Sequence, residues 1–180
     1  MAASESVRPC RIEVIDSANA SLALGLLIME AAGLAREGAS LQEVVNGTRA
    51  AIPRLRFFGA LDTLEYLHRG GRIGRASALL GSVLNVKPIV GLSDGVVYPI
   101  ERVRGRQRAL DRVCKLMGTA GPVGQMAVGH TTDEAGMESL AECAALVSPE
   151  LSIVRAQCGA TLGTYLGPRA FGTAMILKQS

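Results

Sequence analysis

Val86-Lys-Pro-Ile-Val-Gly-Leu-Ser-Asp-Gly-Val-Val-Tyr-Pro-Ile-Glu-Arg-Val103 carries two apolar, β-branched runs on either side of Ser93-Asp94-Gly95. Val86 to Val90 reads as one strand and Val96 to Val103 as the next, because Asp-Gly supplies the positive backbone angles that a tight hairpin turn requires. Pro88 has no amide donor, which suits an edge or strand-end position. The two strands are therefore antiparallel. Elsewhere in the chain apolar runs alternate with helical patterns, the arrangement that builds parallel sheets. A hairpin set inside that alternation predicts an α/β (mixed α+β) fold, a mixed sheet flanked by helices.

Upstream, Arg11-Ile-Glu-Val-Ile-Asp16 alternates charged and apolar residues and is expected to be a strand. Leu22 to Ala35 is apolar almost all round, with Gly25 and Gly33 as small contact points, so this helix should be buried as core or line a cavity. Ser40 with Glu43 forms a capping box for a helix over Leu41 to Ala51, before Pro53. Leu55 to Leu61 reads as a strand. Asp62-x-x-Glu65 then opens a short helix that stops at Gly70-Gly71, and Ala76 to Leu84 is a short apolar helix. Downstream, a helix spans Gly105 to Met117 and a strand Val123 to Gly129. A further helix runs from a cap at Thr132 or Asp133 to Leu146, and two strands follow at Leu151 to Ala156 and Ala170 to Leu177.

Composition narrows the function. A chain of 180 residues, 48% hydrophobic and 19% charged, has apolar surface enough for a real core, which excludes disorder as the main state. The longest unbroken apolar run, Leu22 to Met29, is too short to cross a bilayer. The N-terminus lacks a basic start followed by an apolar stretch, so no secretory signal is read and a cytoplasmic location is expected. Aromatic residues are 3% with no Trp, too few for a stacking platform on nucleic acid. Cys10, Cys114, Cys143 and Cys158 are scattered without a C-x-x-C pair, and His68 and His130 lie away from them. No metal site is expected, and the cysteines read as reduced thiols. Residues 49–115 hold 13 Lys and Arg against 5 Asp and Glu, which makes the middle of the chain a docking surface for an anion or acidic partner, or simply a solvated face.

The distinctive run is Leu61-Asp-Thr-Leu-Glu-Tyr-Leu-His-Arg-Gly-Gly-Arg-Ile-Gly74. Two glycines free the backbone between Arg69 and Arg72, which fits either an anion-facing loop or a helix C-cap followed by a tight turn. With Leu84-Asn-Val-Lys-Pro-Ile89 behind it, this run resembles the DegV family. The resemblance extends to Val14-Ile-Asp-Ser17, Gly25-Leu-Leu, Ser93-Asp-Gly95 and Arg102-Val-Arg-Gly105. It also takes in Gly163-Thr-Tyr-Leu-Gly-Pro168, where the family has a "GtHxGPG" motif, and so covers nearly all 180 residues.

That resemblance implies a fatty-acid-binding carrier. It would bury a long-chain acyl group and present the carboxylate to a separate ATP-binding kinase subunit, which makes the acyl-phosphate; the carrier itself has no catalytic residues. The bound ligand implied is a long-chain fatty acid, with no cofactor. Ligand contacts carried over are Tyr165, Ser21 and Gly167, and the residues facing phosphate or partner are Arg72, Arg104 and Arg69. Tyr165 stands where the family has a histidine, and Arg169 where it has the motif's last glycine. An aliphatic pocket suits an acyl chain, at roughly 0.8 kcal/mol per buried methylene. The helices over Leu22 to Ala35 and Ala76 to Leu84 are the expected lining.

Family members open with loops that have no counterpart here, and Met1 to Val7 resembles only the tail of their last N-terminal helix. The expected division is a remnant of the N-terminal domain over residues 1–20 and the C-terminal, lipid-binding domain over 21–180. The face that the rest of that domain would cover should then favour self-association. Two other functions compete. A small-molecule-kinase-related enzyme subunit would use His130 or Tyr165, although no carboxylate–Ser arrangement accompanies His130, which reads better as a structural hydrogen-bonding residue. A basic-patch interaction module would show steep salt dependence.

Overall fold

The computed structural model describes residues 11–79 and 85–179. Its centre is a six-stranded mixed sheet with the order β3-β2-β1-β6-β4-β5, made of β1 (Leu55–Ala60), β2 (Val86–Ser93), β3 (Val96–Arg104), β4 (Val123–His130), β5 (Val154–Gln157) and β6 (Phe171–Leu177). All neighbours are antiparallel except β4 and β5, which are parallel. The mixed sheet read from the hairpin is present, and Asp94 and Gly95 at its tip have φ of 53° and 74°. Long-range pairing sets the rest. β6, last in the chain, inserts between β1 and β4, so the C-terminal strand ties both halves of the sheet together.

Helices α1 (Ser21–Arg36) and α2 (Leu41–Ala51) lie on one side of the sheet, while α4 (Arg106–Thr119) and α5 (Glu134–Val147) cover the other. Short helices α3 (Glu65–Arg69) and α6 (Ala160–Leu166) close one end together with a 3-10 turn, Gly74–Leu79. Alternation along each strand sorts the core. Phe58, Ile89, Val128 and Met175 meet Val113, Met117 and Leu140 from α4 and α5. Ala127, Ala174 and Ile176, on the other face, meet Leu22, Leu26 and Leu27 from α1. Each fully buried Leu, Ile or Met contributes roughly 1.5–3 kcal/mol of apolar transfer energy.

Several expectations are corrected. Arg11 to Asp16 forms no strand; a ladder partner is needed, none of the described strands supplies one, and Val14 stays 53% exposed. Helix α1 buries one face only, since the sheet lies on one side, and Leu24, Ile28 and Met29 are exposed on the other. Asp62 does not cap α3. Its carboxylate is held by Lys87 at 2.7 Å, and Thr63 Oγ1 accepts the Glu65 amide instead. The helix expected over Ala76 to Leu84 is a 3-10 turn as far as Leu79, and residues 80–84 lie outside the described residues. Strand β5 is shorter than expected, and α6 was absent from the sequence reading.

The cysteines are corrected as well. Cys114 on α4 and Cys143 on α5 form a disulfide with a Cα–Cα distance of 6.0 Å, because packing brings together two helices whose sequences carry one cysteine each. Cys158 is free, and Cys10 lies outside the described residues.

The capping box forms as read. Ser40 Oγ accepts the Glu43 amide, and the Glu43 carboxylate accepts the Ser40 amide at 2.7 Å and its hydroxyl at 2.6 Å. The hydroxyl and then the amide of Ser40 hold the Glu43 carboxyl below its ordinary range. A depressed folded value stabilises the helix fully above about pH 4.5, and that contribution is lost as pH falls through the lowered value. An NMR titration of the Glu43 carboxyl should therefore move to a higher midpoint in Ser40→Ala; an unmoved midpoint would contradict this account of the cap.

Candidate functional site

Three strands each place a glycine at one level of the sheet. Gly59 on β1 pairs with Gly172 on β6, which pairs in turn with Gly129 on β4. All three share the α1 face by strand alternation, being two residues from Phe57, Ala174 and Ala127 respectively. A Cβ at Gly129 would meet Leu22 of α1 at 3.0 Å, and one at Gly59 would meet the Phe57 ring at 3.1 Å. The row lowers the sheet surface beneath the start of α1.

A cavity of about 30 Å³ lies over this row, lined chiefly by Leu22, Phe57, Leu61, Val90, Leu166 and Phe171. Ser21 and Cys158 stand on its rim, their Oγ and Sγ 3.7 Å apart. This space matches a water or two rather than an acyl chain. It adjoins more room on two sides. An apolar groove of about 200 Å³ shares Ser21, Leu22 and Cys158 with it and continues along α1 past Gly25, Leu26 and Met29. A wider groove of about 950 Å³ shares Phe57 with it and opens between α2, β1 and the hairpin tip.

Of the residues singled out from sequence, Ser21 and His130 line the cavity. Tyr165 and Gly167 lie outside its lining, at the end of the sheet. The Tyr165 ring packs on Gly70 and carries the Arg72 guanidinium 5.2 Å from its centroid, while Gly167, with φ 73°, sits under the Tyr66 ring. Arg72 also donates to the Gly70 carbonyl at 3.0 Å. Arg69 is exposed and paired with Glu65 at 2.5 Å. Arg104 is exposed at the end of β3, opposite Val86. That position is seven residues beyond Val97, against which Gly74 lies, roughly 23 Å at about 3.3 Å per residue. Arg72 and Tyr165 are thus brought together, and Ser21 belongs to a separate feature.

His130 lines the cavity and is also tied to the start of α5. Its Nδ1 accepts the Asp133 amide at 2.9 Å. The Asp133 carboxylate accepts from Gly136 at the start of α5 and is paired with Arg106, which stacks 5.4 Å from the Phe171 ring centroid. Burial, then the nearby Arg169, lowers the Arg106 pKa, with Asp62 opposing. Buried imidazole, helix cap and stacked guanidinium form a brace between β4, α4 and α5, in line with the structural reading of His130.

Sequence reasoning did not find the glycine row, Phe57 or Cys158. The available signal was the presence of glycine inside β1, β4 and β6, which marks close backbone approach. Of the expected lining, α1 supplies Ser21 and Leu22; Ala76 from the second segment joins the end cluster instead. Among the described residues no group of His, Cys, Asp and Glu is placed to hold a metal, and no helix is long and apolar enough to cross a membrane.

A mixed sheet between two helical layers, with a small apolar cavity under the start of α1, defines an α/β domain. Residues 1–178 match the sequence profile described as "Uncharacterised protein, DegV family", and the chain belongs to that family. It is 40% identical over 176 residues to a DegV domain-containing protein of Caldanaerobacter subterraneus subsp. tengcongensis, covering 94% of this chain and 62% of the relative. The fold matches a DegV family protein from Thermus thermophilus, described for its fatty acid binding, with TM-score 0.84 and 28% identity over 94% of this chain and 62% of that one. It also matches Bacillus subtilis DegV, described as a fatty acid binding protein, with TM-score 0.83 and 30% identity over 98% of this chain and 64% of that one. The chain therefore spans a little under two thirds of the length of these relatives.

Proposed function

We propose that this chain is a fatty-acid-binding domain whose acyl site is the space over Gly59, Gly129 and Gly172. The observation that carries the reading is an apolar cavity on a fold shared, at 28% and 30% identity, with two proteins described as fatty acid binding. The cavity and the groove along α1 meet at Ser21 and Leu22, so a shift of the first turn of α1 would join them into one channel for a long tail. Burying methylenes there supplies the affinity, at roughly 0.8 kcal/mol each. A few rim groups fix orientation; Ser21 is one.

The finer reading is that of a carrier whose bound carboxylate is handed to a separate ATP-dependent kinase subunit in the cytoplasm. Arg69, Arg72 and Arg104 are exposed, as partner-facing cations must be, and phosphoryl transfer needs charge neutralisation rather than a covalent residue on the carrier. We assign residues 21–180 to the lipid-binding domain and 1–20 to the end of a preceding one. The exposed Leu24, Ile28 and Met29 then form the face for that domain or for a second copy.

Native mass spectrometry of the purified chain, followed by lipid extraction, tests the ligand. A stoichiometric fatty acid, or stoichiometric uptake of added oleate, is expected; an empty chain that takes up none would overturn the reading.

A further inference from the structure

Helix α1 carries a glycine, Gly25, in its second turn, where glycine is less favourable than alanine because its backbone loses more freedom on ordering. A glycine inside a helix therefore has a packing or a functional reason. Gly47 of α2 shows the packing reason, since a Cβ there would come within 2.5 Å of Leu34 Cδ1 on α1. Gly25 has no such neighbour: its Cβ would meet nothing within 4 Å. The open space over it is the apolar groove of about 200 Å³, walled by Leu22, Leu26 and Met29 of α1, Ala156 of β5 and Leu162 of α6. Gly159, just before α6, lines the same groove, and a Cβ there would also meet nothing within 4 Å.

Ser21, Gly25 and Met29 are spaced by four and so form one row along the helix. Ser21 also stands on the rim of the cavity, so a chain that leaves the cavity along α1 passes Gly25 one turn later, about 6 Å on at about 1.5 Å per residue. We propose that Gly25 selects for acyl-chain length: the absence of a side chain keeps the groove open to the far end of a long chain, at the expense of helix stability. The proposal rests on the fatty-acid reading above and adds the residue that decides how long a tail is accepted.

Thermal unfolding and equilibrium binding of oleate and decanoate, compared across the wild-type chain, Gly25→Ala and Gly25→Leu, test it. Gly25→Ala should raise the thermal midpoint by roughly 2–4 °C, the shift expected when a glycine inside a helix is replaced where there is room. A lowered midpoint would show that packing needs the glycine and would overturn the proposal. Gly25→Leu should weaken oleate about tenfold, the scale of about two methylenes kept out of the groove, and leave decanoate, whose tail ends before Gly25, unchanged. Gly25→Ala adds one methyl group to the same space and should weaken oleate alone by about threefold, which supplies the comparison if the leucine variant does not fold. Oleate and decanoate weakened alike, or oleate bound by the folded variants as by the wild type, would overturn the role of Gly25 while leaving the fatty-acid reading standing. A wild-type chain that binds neither probe would remove both.

Discussion

Reducing the purified chain is expected to lower its unfolding free energy by about 3.5 kcal/mol, the value the loop-entropy relation gives for two cysteines 29 residues apart. The bond joins α4 to α5, so the reduced unfolded chain regains the freedom of a closed loop that contains β4 and most of α5. At roughly 2–4 °C per kcal/mol for a domain of this size, the thermal midpoint should fall by roughly 10 °C. Cys114→Ala and Cys143→Ala should each reproduce the effect, and the double variant should cost little more than either, because one bond is lost in all three. Equal midpoints with and without reductant would refute this. Both helices lie on the face opposite the cavity, so oleate binding by the reduced, folded chain should change little.

Cys114 and Cys143 sit one per helix, and only the packing of α4 beside α5 brings their Cα atoms within 6.0 Å. Local signals behaved differently. Asp94-Gly95 imposes positive φ at the turn, and Ser40 with Glu43 satisfies a helix end reciprocally, so both were legible from neighbours in the chain. Arg11 to Asp16 shows the limit of a local signal: alternation describes a strand only where a ladder partner exists. The site is non-local in the same way. Gly59, Gly129 and Gly172 become a row only through the β1–β6 and β6–β4 registers, which follow from inserting the last strand into the middle of the sheet. The family motif around Tyr165 was visible because it is contiguous, but its neighbours Gly70 and Arg72 are set by the packing of α3 against α6.

Two substitutions in the glycine row should therefore separate folding from binding. Gly172→Ala is expected to destabilise the chain by about 3 kcal/mol, the upper part of the usual range for overpacking. Its Cβ would come within 2.7 Å of the Phe58 carbonyl oxygen and 3.1 Å of the Gly59 Cα, both backbone atoms of the adjoining strand. A flexible side chain could rotate away from such a contact; β1 and β6 can relieve it only by moving apart, which strains a six-residue ladder in the middle of the sheet. Gly59→Ala meets a different neighbour. Its methyl would lie 3.1 to 3.2 Å from the edge of the half-buried Phe57 ring, which can yield, so the stability loss should stay near 1 kcal/mol or below. Yet that methyl stands on the floor of a 30 Å³ cavity and pushes on the side chain that divides it from the wider groove. Oleate and oleyl alcohol, which has the same tail without the charge, should then weaken together, because the obstruction acts on the tail. Denaturant unfolding and equilibrium binding of both probes measure the pair; a Gly59→Ala chain that folds and binds both as the wild type does would show that the acyl chain lies elsewhere than on the glycine row.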